Sequence, residues 1–162
     1  VLLTPADAGP GYATGPEPVP STPLPCGGDV TAEHPDAVRV GVRLRDAGGA
    51  VEVQQAVAVY ADRDAAAEAF AATADGMACG AGPLDGTPSR ISAPQDLAEH
   101  VDADRATGWQ VAVPDRDVLV VAVQAGPAVV TFRFVAPPEA GLAERPDALG
   151  LTRTAVDRLI TA

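Results

Sequence analysis

Between Val51 and Met77 the spacing of apolar residues changes from every second position to every third or fourth, and this change constrains the fold more than any other feature of the chain. Val51, Val53, Val57 and Val59 keep a two-residue period with Gln55 in phase, as a strand with one buried face requires. From Asp62 or Asp64 onward, Ala66, Ala69, Phe70, Thr73 and Met77 fall on one face of a helix whose first turn carries acids at its positive end. A strand therefore runs directly into a helix, and Cys79 stands at the helix end.

The same two periods organise the rest of the chain. Val38, Val40, Val42 and Leu44 alternate with Arg39, Gly41, Arg43 and Arg45, and the turn Asp46-Ala47-Gly48-Gly49 joins this strand to the next as an antiparallel hairpin. Trp109, Val111 and Val113 begin a third strand, Val118 to Gln124 is apolar on both faces as a central strand should be, and Ala128 to Val135 returns beside it after Gly126-Pro127. Near the start, Thr4-Pro5-Ala6-Asp7 caps a helix of one or two turns that Gly9-Pro10-Gly11 ends. A last helix over Asp147 to Thr161 is expected to present Leu149, Thr152, Val156, Leu159 and Ile160 to the sheet. Residues 80–108 read as irregular, with a short helix between Gln95 and Asp104. The expectation is an α+β domain with an antiparallel sheet of about five strands packed by helices. It forms a single unit over 1–162, in which residues 1–25 are a short helix plus a proline-rich extended segment and residues 26–162 form the core.

Two cysteines without CxxC spacing, and histidines that do not cluster, fit neither a zinc site nor a thioredoxin-like redox pair. A disulfide or two buried thiols remain. Cys26 follows Pro16, Pro18, Pro20, Pro23 and Pro25, a segment that can form neither helix nor central strand and has little to bury, so a disulfide to Cys79 is the favoured arrangement. Such a bond implies export, with a signal or membrane anchor removed from in front of Val1. The formal net charge of -11 opposes binding to nucleic acid or to an anionic membrane surface. All 11 basic residues are arginine, and lysine and asparagine are absent, a bias expected of a GC-rich genome.

Candidate chemistry is sparse. The run Glu99-His100-Val101-Asp102-Ala103-Asp104 fails as a calcium loop, with Ala106 where an oxygen ligand is wanted and Thr107 where the turn needs glycine, and it offers zinc a single imidazole. It reads as a solvated acidic loop. Gly80 to Gly86 follows a helix and contains Pro83, which does not make a phosphate loop, and no serine lies in a nucleophile elbow. No metal, cofactor or enzymatic activity is expected. The constellation of interest is arginine on strands: Arg39, Arg43 and Arg133 lie on polar strand faces, where they could share one face and hold a carboxylate or phosphate, or instead pair with Asp and Glu. Trp109 reads as core, with a place in a cleft wall as the alternative.

Taken together, LLTPAD, the cysteine of PLPCGG, the unit AVAVYADRDAAAEAFAATADGMAC, the strand DVLVVAVQAG and the closing TRTAVDRLITA resemble the extracytoplasmic sensor domains of PknH-type actinobacterial receptor serine/threonine kinases and related lipoproteins. The resemblance covers nearly the whole chain. It implies an α+β domain outside the cytoplasmic membrane, non-catalytic, displaying a cleft for an unidentified ligand, with Cys26 and Cys79 matching the family's first cysteine pair. The chain lacks the aromatic residue that members often carry just before the helix cysteine, at Gly76-Met77-Ala78, and the second cysteine pair of the later half. Two functions follow as expectations: an extracytoplasmic sensor or ligand-binding module of a membrane-anchored receptor or lipoprotein, or a cell-envelope protein-interaction domain without a small ligand. The partner is correspondingly a small molecule or an envelope protein, and the membrane is reached only through a segment outside this chain.

Overall fold

The computed structural model describes residues 1–16, 24–141 and 145–161. In chain order the elements are α1 (Pro5–Ala8), β1 (Ala13–Thr14), α2 (Val30–Glu33), β2 (Val38–Arg45), β3 (Glu52–Val59), α3 (Arg63–Asp75), β4 (Ala81–Leu84), β5 (Thr87–Ile91), β6 (Gln95–Asp96), α4 (Ala98–Val101), β7 (Arg105–Val113), β8 (Arg116–Ala125), β9 (Ala128–Ala136) and α5 (Ala148–Ile160). The strands pair antiparallel in the order β1-β2-β3-β9-β8-β7-β5-β4, with β6 added to β7.

The sheet thus has nine strands where about five were expected. Two of the additions, β1 and β6, are two-residue strands too short to carry an alternation. The other two form a hairpin around Asp85-Gly86, where both residues take positive φ, 50° and 80°, the backbone that a two-residue turn needs. Pro83 and Pro88 stand opposite each other in that hairpin, and β4 is a sheet edge, where a missing N–H breaks no ladder. Between Gln95 and Asp104 the expected helix shrinks to the four residues of α4, because Gln95 and Asp96 pair with Gly108 and Thr107 instead. The proline-rich extended segment falls largely on residues 17–23, outside those described.

The five long strands behave as their alternation predicts. On one face Leu44, Val53, Val121, Val130 and Phe132 pack with Leu3, Val101 of α4 and α5. On the other face Phe70 and Ala69 of α3 cover Trp109, Val111, Val120 and Ala122. The helix α3 starts at Asp62, whose side chain accepts from the Ala65 N–H, and buries Ala66, Ala69, Phe70 and Thr73. For α5 the buried stripe is Leu151, Thr152, Ala155 and Val156, while Ile160, predicted to face the sheet, is 61% exposed at the helix end. The stripe passes through the small Ala155, which a search for large apolar residues overlooks.

The two ends of the chain are clasped. Arg158 of α5 donates to both carboxylate oxygens of Asp7, at 2.6 and 2.8 Å, and to the Leu2 carbonyl at 3.0 Å. The Arg158 hydrogen bonds, aided by those from Thr4, hold the Asp7 carboxyl well below the usual carboxylate range. Because the folded pKa is depressed, the clasp contributes fully above the unfolded value of about 3.9 and is lost as pH falls below it. Asp7→Asn is expected to lower stability by about 1 kcal/mol at pH 7, a value moderated by the partial exposure of Arg158. Denaturant titrations at pH 7 and pH 3 should show the gap from wild type narrowing at the lower pH, where the unfolded carboxyl is already largely protonated and the folded one still charged; an unchanged gap would mean that Asp7 packs without its charge.

Candidate ligand-binding cleft

Register places the polar residues of β2, β3 and β9 in rows. Arg43 pairs with Gln54 and Gln54 with Arg133; Gly41 pairs with Ala56 and Ala56 with Thr131; Arg39 pairs with Ala58 and Ala58 with Val129. All nine lie on the face that α3 covers farther along, over β8 and β9. Beyond α3 this face is the floor of an open cleft of about 840 Å³. The middle row carries only glycine, alanine and threonine, which gives the floor its depth.

The walls come from three other places. Thr73 and Met77 stand at the end of α3, Leu24, Pro25, Val30 and Thr31 form a second wall, and Leu84-Asp85 of the β4–β5 turn closes a third side. The second wall is tied down by the Cys26–Cys79 disulfide and by the Cys26 N–H, which donates to the Gly76 carbonyl at 2.9 Å. Gly76 and Gly82 permit the close approach, since a Cβ at either would fall 2.3 Å from the Leu24 side chain or 2.2 Å from the Pro25 carbonyl oxygen. The disulfide expected from the sequence is present and anchors the chain beside this wall.

Arg39, Arg43 and Arg133 all line this cleft, facing a single aspartate, Asp85, in a chain of strongly negative net charge. Their surroundings differ. Arg39 donates to the carbonyls of Ala37 at 3.0 Å and His34 at 2.7 Å, so it fastens the chain after α2. Arg133 donates from Nη1 to both Asp85 oxygens, at 3.0 and 3.2 Å. The Nε of Arg43 is buried and makes no hydrogen bond; it lies 3.3 Å from Glu52 Oε1 but outside hydrogen-bonding geometry. Trp109 is not a cleft residue: it is 1% exposed, packed beneath α3 with Phe70 and Val111.

Past Arg43 and Arg133 a second, smaller hollow of about 490 Å³ continues toward Arg45, Glu52 and Arg116. Sequence reasoning did not anticipate Asp85, Gln54, Thr131 or Met77 in a site. The Asp-Gly turn was the available signal for Asp85, masked by its flanking prolines. Elsewhere, Asp104 of the acidic run accepts from Arg63 at 2.6 Å and from the Gly126 N–H at 2.8 Å, a structural use of that loop. Among the described residues no group of three His, Cys, Asp or Glu side chains is placed to hold a metal.

Neither a family model nor a curated protein matches the sequence. The structure does match the extracellular domain of PknH from Mycobacterium tuberculosis, with a TM-score of 0.70 over 99% of this chain and 93% of that one, at 11% sequence identity. The fold is that of a PknH-type extracellular sensor domain. At this identity the PknH likeness extends to the backbone frame, and the side chains that floor and wall the cleft are this chain's own.

Proposed function

We propose that this chain is an extracytoplasmic sensor or ligand-binding module, without catalytic activity of its own, belonging to a membrane-anchored receptor or a lipoprotein. The observation that carries this reading is the preformed cleft of about 840 Å³, with mixed apolar and charged lining, on a PknH-type fold. Its size falls in the range of small-molecule sites, and it combines apolar walls with a few convergent polar groups. The disulfide fits an oxidising compartment. No helix among the described residues is long and apolar enough to cross a membrane.

The test is a thermal-shift screen against a broad panel of metabolites and lipids, run on wild type and on Ala56→Phe, which fills the middle of the floor. At least one compound is expected to raise the wild-type Tm by several degrees and to leave the variant unmoved, since a ligand at a hundred times its Kd contributes about 2.7 kcal/mol. Equal shifts in both proteins, or none in either, would count against the cleft.

One observation favours the interaction-domain reading. Val38, Val40 and Val59 are 68%, 50% and 41% exposed and adjoin one another on the opposite face of the sheet, Val38 pairing with Val59. If that patch is the working surface, Val38→Ser with Val59→Ser, neither of which lines the cleft, should abolish concentration-dependent association in sedimentation while leaving every ligand response of the cleft intact.

A further inference from the structure

We propose that the cleft takes an anionic amphiphile: its apolar chain lies over the floor of Gly41, Ala56 and Thr131, and its carboxylate or phosphate group is held by Arg43. This rests on the sensor reading above and adds the chemical class of the ligand.

Two unlike compartments meet along one row of the sheet. The larger one has apolar walls built from Leu24, Val30, Tyr60, Met77 and Val129. The smaller one carries Arg43, Arg45, Arg116 and Arg133 against three carboxylates. Arg43, Gln54, Leu84, Asp85 and Arg133 line both, so apolar and charged halves form one continuous trench. A ligand matched to both halves is apolar along most of its length and acidic at one end.

Among the described residues that line the cleft, Arg43 carries a buried donor without a hydrogen-bond partner. Its side chain is only 15% exposed, and none of the described hydrogen bonds uses its guanidinium. The neighbouring Glu52 carboxylate already accepts from Arg45 Nε at 2.5 Å and from Gln54 Nε2, which leaves it a Coulombic neighbour of Arg43 and not a directional partner. A guanidinium has five donors, and here the Nε–H is buried without an acceptor, which is unfavourable. A carboxylate or phosphate supplies two acceptors in the matching plane. The stem of Arg43 runs past Gly15, where a Cβ would stand 3.3 Å from its Cγ, and the side chain is largely buried, so fewer rotamers are lost on binding.

Asp85 sets the competition. At the tip of the β4–β5 turn it neutralises Arg133, and an arriving anion meets its repulsion. Asparagine also tolerates positive φ, so Asp85→Asn keeps the turn while removing that charge.

The experiment is calorimetric titration of the delipidated protein with hexadecanoate, hexadecyl phosphate, hexadecanol and butyrate, each below its micelle-forming concentration. Both long-chain acids are expected to bind at least tenfold more tightly than hexadecanol, with butyrate showing no measurable heat. Whichever acid binds more tightly identifies the head as carboxylate or phosphate. Arg43→Gln should bring the acids down to the level of hexadecanol without altering hexadecanol itself, and Asp85→Asn should tighten the acids several-fold. Equal affinity for acid and alcohol overturns the anion anchor; butyrate binding as tightly as hexadecanoate overturns the chain. Should Arg43→Gln fail to fold, Asp85→Asn decides alone, since unchanged acid affinity there contradicts an anion in the trench. If none of the four binds but a compound from the wider screen does, and Ala56→Phe abolishes it, the amphiphile fails while the sensor reading stands.

Discussion

Replacing both cysteines, Cys26→Ser with Cys79→Ser, is expected to lower stability by about 4 kcal/mol, the chain-entropy value for a bond joining residues 53 apart. The loss should be larger than for any surface change because the other described ties of the segment before α2 are non-covalent. Its other described ties include the Cys26 N–H to the Gly76 carbonyl and the packing of Leu24 against Gly76. The effect should also reach the cleft, whose second wall is Leu24 and Pro25. Denaturant unfolding measures the first consequence, and titration with hexadecanoate the second. A double variant within 1 kcal/mol of wild type would mean that the segment is held by packing alone; one that loses stability but binds normally would mean that the wall is dispensable.

Gly82→Val is expected to cost about 3 kcal/mol, at the upper end for overpacking. A Cβ there would stand 2.2 Å from the Pro25 carbonyl oxygen and 2.8 Å from its carbon, contacts with backbone that no rotamer relieves. Neither side can retreat freely. Pro25 adjoins the disulfide, and Gly82 is paired with Ser89, whose hydroxyl donates to the Gly82 carbonyl at 2.8 Å. The neighbouring Ala81→Val, at an exposed position of the same edge strand, should change stability by less than about 0.5 kcal/mol. Equal effects of the two substitutions in thermal unfolding would show that strand preference matters there and the close approach does not.

The elements that could be read from sequence were those with a long period. The hairpin of β2 and β3, the capped α3, and the three strands β7 to β9 each carry enough alternation to announce their type and their buried face. The β4–β5 hairpin and the two-residue strands do not, because prolines and brevity remove the signal while edge positions make them tolerable. For the cleft, the sequence placed Arg39, Arg43 and Arg133 on polar strand faces, and register aligned them on one. It could not indicate that this face is the concave one, since that depends on how far α3 reaches across the sheet. Trp109 illustrates the same gap: its strand was legible, but α3 lies over it and removes it from any opening.

The row Gly41, Ala56 and Thr131 has one more consequence. The ladder along β2, β3 and β9 is held by backbone pairing, whereas the side chains of that row set the height of the trench floor between its walls. A change of one or two methyl groups at these positions would therefore retune the length of molecule accepted while leaving the ladder, the disulfide and the helices as they are. If the cleft binds its ligand as proposed, the scaffold separates what keeps it folded from what it discriminates, and the choice of molecule could change by single codons without passing through an unstable form.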